Sequence, residues 1–148
     1  MKTRRHLSAF TLLEITLSIG LLSILAGISL VLFNNLQANN DLDIVSASIA
    51  QDMRRAQDLS RAAQGDSAWG LFIQPGILTV FKGDSHTNSS PSDDEYIYIS
   101  SAITISGQTE FDFAKTTGAP LNAGSVTLTT PNHVSNTVTI NSQGMVSY

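Results

Sequence analysis

One run constrains this chain more than any other feature. Residues 10–33 hold 16 apolar residues in 24 and a single charge, Glu14. A stretch of that length and hydrophobicity suits neither a loop nor a strand of a small sheet. As a helix it reaches about 36 Å at about 1.5 Å per residue, enough to cross a hydrocarbon core of about 30 Å. A lone carboxylate is costly inside such a helix and marks a role beyond packing, because a buried ion needs a partner. Lys2, Arg4 and Arg5 precede the run, so the positive-inside rule keeps the N-terminus cytoplasmic and sends the remainder across. Cleaved secretory signals share this order, but their apolar cores are usually about 7–15 residues, so an anchor is expected.

The 148 residues leave room for one modest domain beside the run. No cysteine is present, which excludes disulfides and thiolate metal sites, so an exported domain must hold together by packing. The net charge of −4 conceals an asymmetry: three of the eight basic residues lie in the first nine positions and none of the twelve acidic ones do. Without that segment, five basic side chains would face twelve acidic ones, a balance opposed to broad nucleic-acid binding. Arg54, Arg55 and Arg61 do cluster, but Asp52 and Asp58 interleave with them.

Within the run, Thr16, Gly20, Ser23 and Gly27 recur four, three and four residues apart and fall on one helical stripe. Small residues so arranged let neighbouring helix backbones approach. Glu14 faces roughly the opposite side, with Ser18, Leu21, Leu25 and Leu32. Asn34-Asn35 and Asn39-Asn40-Asp41 are weak helix formers and mark where the helix is expected to loosen. From Leu42 an amphipathic pattern resumes through Val45, Ile49, Met53, Ala56 and Leu59 or Ala63, with Gly65 as the expected stop. Arg54–Asp58 and Asp58–Arg61 are spaced for surface ion pairs.

Beyond Gly65 the texture is that of strands. Residues 68–74 and 77–82 flank Pro75-Gly76 as a hairpin, and 96–100, 103–106, 110–114, 125–130, 137–141 and 145–148 follow. The expected fold class is α+β: a long N-terminal helix, half membrane and half amphipathic, packed on a small, mostly antiparallel sheet. The expected divisions are a basic leader at 1–9, a membrane helix at 10–33, its amphipathic continuation at 34–64 and a β-rich domain at 65–148.

Ala9-Phe10-Thr11-Leu12-Leu13-Glu14, behind a basic leader and ahead of a long apolar helix, resembles the processing signal of type IV prepilins, including the pseudopilins of type II secretion. Trp69-Gly70-Leu71-Phe72, the segment 78–83 and the closing segment 138–146 resemble the H-type minor pseudopilins more loosely. The resemblance implies a pilin-like fold, cleavage by prepilin peptidase between Ala9 and Phe10, and N-methylation of Phe10. Ala9 stands where the family usually has glycine. It also implies that Glu14 sets assembly register by pairing with the amine of Phe10, its own or a neighbour's, and that residues 10–33 pack in a filament. The expected function is a minor structural subunit of a secretion pseudopilus, in a bacterial inner membrane with the C-terminal domain outside. A minor pilin of a type IV pilus and a plain signal-anchored binding domain are the alternatives. Expected partners are prepilin peptidase, other pilin or pseudopilin subunits and inner-membrane lipid, with no nucleic acid.

Asp84, Asp93, Asp94 and Glu95 offer oxygen ligands in a polar loop, but without the Asp-x-Asp-x-Asp-Gly spacing of a calcium loop, so a solvated acidic loop is expected and no metal. His6, His86 and His133 have no partners at metal or catalytic spacing. Nothing resembles a catalytic constellation, and neither an enzyme nor a cofactor is expected.

Overall fold

The computed structural model describes residues 10–89 and 91–148, without the side chains of residues 28–35. The expected leader, with Ala9, lies outside the described residues. The chain divides into two compact units, Met1–Leu36 and Gln37–Tyr148, and helix α1 (Leu12–Arg61) contributes to both. Among the described residues no helix is long and apolar enough to cross a membrane. Within the 10–33 run the described side chains end at Gly27.

The Asn-rich segments do not interrupt α1, contrary to expectation. Their helix-propensity penalty is roughly 0.7 kcal/mol or less per residue, too little to break a long helix. The helix ends at Arg61 rather than at 64. The left-handed turn falls on Ala63 (φ 47°), and Gly65 (φ 65°) sits inside the short 3₁₀ turn Gln64–Asp66.

Among the described residues eight antiparallel strands follow, each within two residues of its expected bounds: β1 (Trp69–Gln74), β2 (Ile77–Lys82), β3 (Glu95–Tyr98), β4 (Thr104–Gly107), β5 (Glu110–Phe113), β6 (Gly124–Thr129), β7 (Ser135–Ile140) and β8 (Val146–Ser147). Pro75-Gly76 does close the β1–β2 hairpin, with Gln74 opposite Ile77 and Gly76 at φ 86°. The strands form two four-stranded sheets rather than one, in the orders β3-β2-β1-β5 and β4-β6-β7-β8. The seam is local. Gln108 N–H donates to Ser125 in the second sheet, whereas the carbonyl of its neighbour Thr109 accepts from Ile73 in the first. Gly107, at φ 92°, turns the chain into that division, and a Cβ there would meet the Ser125 carbonyl oxygen at 2.7 Å.

One apolar core joins both sheets to α1. Leu42, Val45, Ile49, Ala50, Met53 and Ala56 meet Leu71, Ile73, Leu78, Val80, Phe111 and Phe113 of the first sheet and Val126, Leu128, Val138 and Ile140 of the second. The stripe also buries polar residues that its periodicity does not suggest: Ser46, Asp52, Gln57 and Ser60. Two of them meet main-chain groups outside the helix. Gln57 Nε2 donates to Gly118 O at 2.9 Å, and Ser60 Oγ accepts from Trp69 N–H at 2.7 Å. The expected Arg54–Asp58 pair is replaced, because Arg54 reaches across to the Val146 carbonyl at 3.1 Å. Asp58 does pair with Arg61, at 3.2 Å.

Ser60→Ala would orphan the buried Trp69 N–H, and is expected to cost about 1–3 kcal/mol. Trp69, the sole tryptophan, reports unfolding of this unit by fluorescence. The urea midpoint of the full chain in mild detergent should fall with an unchanged slope, and an unchanged midpoint would deny the clamp.

Candidate functional site

The start of α1 is built by the residues singled out for processing and assembly. Thr11 caps it: its Oγ1 accepts the N–H of Glu14 at 3.2 Å, one of the donors a helix start leaves unpaired. Thr11-Leu12-Leu13-Glu14 thus has capping-box spacing, and Phe10 and Ile15 stand at the staple positions before and after it. The reciprocal half of the box, from Thr11 N–H to the Glu14 carboxylate, is not formed. Among the described residues that carboxylate makes no hydrogen bond and no ion pair.

Glu14 lies in a shallow groove of about 270 Å³ lined by Phe10, Glu14, Ile15, Ser18 and Ile19. Phe10, Glu14 and Ser18 follow one another at intervals of four, so they share one face. Ser18 Oγ donates to the Glu14 carbonyl at 2.7 Å and so is turned to the backbone rather than to the carboxylate. The groove therefore offers one anionic group on an apolar floor, with Phe10 76% and Ile15 48% exposed. Chemically, that suits a single cation brought in with apolar surface around it.

The small-residue stripe is equally open. A Cβ built at Gly20 or Gly27 meets nothing within 4 Å, and Thr16 and Ser23 fold their hydroxyls back onto the Leu13 and Ile19 carbonyls. Such back-bonding satisfies the hydroxyls inside the helix and leaves a smooth, low surface.

The acidic loop does not converge on a point. Asp93 pairs with Lys82 at 3.0 Å and Glu95 with Arg55 at 2.7 Å. Asp94 accepts from Lys82 N–H and bonds to Ser89. Among the described residues no group of three potential ligands is placed to hold a metal ion. His133 occupies a turn at φ 63°, and His86 packs on the first sheet. His6 lies outside the described residues.

The capping residue was missed in the sequence, although threonine three residues before Glu14 is the readable signal. No protein-family model matches this chain, and neither a curated protein nor a solved structure matches it.

Thr11→Val should remove the cap at a cost of about 1 kcal/mol, making amide exchange at residues 12–15 about fivefold faster in detergent micelles. Glu14→Ala should leave the capping bond in place, because the donor there is the backbone. Equal loosening by both variants would assign the effect to the carboxylate instead.

Proposed function

We propose that the chain is a minor structural subunit of a type II secretion pseudopilus, made as a prepilin-like precursor. The observation that carries this reading is the Glu14 carboxylate, without a partner among the described residues and exposed in an apolar groove one turn after Phe10. Prepilin peptidase would cut between Ala9 and Phe10 and methylate Phe10. Methylation leaves the amine basic, so it remains a counter-ion. In the membrane, an incoming subunit's amine would meet the carboxylate of a neighbour and fix the stagger between helices, while residues 10–33 pack along the small-residue stripe. Pairing removes the several kcal/mol that an unpaired buried ion costs, so correct register is favoured over slipped ones. Residues 37–148 would then be presented outside the membrane as a packed α+β domain for contact with other subunits, a structural rather than catalytic task.

The test is incorporation of Glu14→Ala and Glu14→Gln chains into filaments, in cells supplying prepilin peptidase and the other pseudopilins. Both variants should insert and be processed, yet enter filaments at least about tenfold less, given the cost of leaving a buried charge partner alone. Normal incorporation of both would deny Glu14 its role in assembly, and absence of the native chain itself from filaments would leave a signal-anchored domain with no filament role.

A further inference from the structure

The first sheet is covered on both faces along β1 and β2, and the second cover is not the helix. Leu71, Ile73, Leu78 and Val80 face the core, yet Thr79 and Phe81, which alternate with them, are 2% and 0% exposed. Gly70 lies on that same outer face beneath Phe81: a Cβ there would meet the Phe81 ring at 2.3 and 2.8 Å. The cover is the segment that follows β2. His86 stacks on Phe72 with ring centroids 4.2 Å apart and planes at 19°, and tilts against Phe81 at 5.6 Å. Its backbone N–H donates to Glu110 Oε1 at 2.8 Å, tying the segment to β5.

This seat is electrostatically incomplete. Two buried atoms have no hydrogen-bond partner, Nδ1 of His86 and Oδ1 of Asp112. Asp112 is flanked by Glu110 on its own strand and by Asp84 from the cover, both anionic. Among the described residues, the other titratable side chains on this face are His86 from the cover and, on β3, Tyr96 and Tyr98 opposite Thr79 and Ile77. β1, paired with β5, offers Gly70 opposite Asp112 and Phe72 opposite Glu110, neither charged. The segment 119–121, whose Leu121 N–H donates to the Asp112 carbonyl, carries no charge either. Lys82 and Lys115 are turned to Asp93 and Asp66.

We propose that residues 83–89 form a pH-dependent cover over Phe72 and Phe81, seated when Asp112 carries a proton and loosened when it is ionised. A proton on Asp112 removes one of three crowded negative charges and gives the carboxyl group an O–H donor. Ionised, the group leaves one buried oxygen dehydrated beside two like charges, a strain that lifting the cover relieves by admitting water to that side, while Asp112 already lines an open groove with Gln108, Glu110 and Asn122. Lifting it uncovers Phe72 and Phe81, two aromatic faces suited to an apolar partner side chain.

The direction of the effect follows from Asp112 itself. Burial, then Glu110 and Asp84, push its pKa up to about 6 from 3.8. A raised carboxyl pKa means the seated form binds the proton more tightly than the open form. Seating is therefore weakest above about pH 6 and strengthens as pH falls from there toward 3.8. The measurement is amide hydrogen exchange of residues 83–89 in the detergent-solubilised full chain, corrected for intrinsic exchange. Protection should be about tenfold greater near pH 5 than near pH 7.5 in the native chain. In Asp112→Asn, which imitates the protonated group, it should be high and nearly equal at both. Asp52, also raised by burial, lies on α1, so its titration would register in the helix rather than in this segment. Equal protection of the native segment at both pH values would overturn the proposal, a reading that does not depend on the variant. So would an undiminished pH dependence in a folded Asp112→Asn chain.

Discussion

The unit formed by residues 37–148 depends on one stripe of α1. Leu42, Val45, Ile49, Met53 and Ala56 are almost wholly removed from water, and the apolar inner faces of both sheets join them in one core. A buried leucine, isoleucine or methionine typically contributes about 1.5–3 kcal/mol, so these few residues outweigh the surface ion pairs around them many times over. The same stripe explains its polar members. Ser60 and Gln57 lie where α1 must meet main-chain groups of turns and strand starts, and each supplies the partner that those groups would otherwise lack. Burial by the helix on one side leaves the first sheet with an outer face that is itself apolar at Phe72 and Phe81, and the 83–89 segment answers that second demand.

Much of this was legible in the sequence for physical reasons. All eight strands were marked by β-branched and aromatic runs with punctuation between them, and Pro75-Gly76 supplied a turn with its own left-handed residue. The helix stripe was readable because side chains three and four apart share a face. The division into two sheets was not readable. It rests on Gln108 and Thr109 bonding in opposite directions, a long-range choice that no local pattern encodes. The buried hydroxyl of Ser60 and the redirected Arg54 were hidden for the same reason, since their partners lie far along the chain. The α1 terminus shows a further limit: Ala63 accepts a left-handed conformation for which Gly65 looked better suited, because the turn is held by Ser60, Trp69 and Gln64.

At the other end of the chain the reading runs from chemistry rather than from pattern. A carboxylate within an apolar helix start is unfavourable unless something arrives to pair with it, and among the described residues it has no partner and lies in a mostly apolar groove. Thr11 gives part of the same sequence an independent local purpose, fixing where the helix begins. Under the proposed function, helix initiation and recognition would overlap in residues 10–14. The two roles stay separate, because the cap uses the backbone N–H of Glu14 and not its carboxylate.

The most direct measurement is the intact mass of the membrane-associated protein from cells that supply prepilin peptidase. The account predicts loss of residues 1–9 and the gain of one methyl group on the new N-terminal Phe10. A chain that keeps those residues, or one cut beyond residue 20, would contradict it.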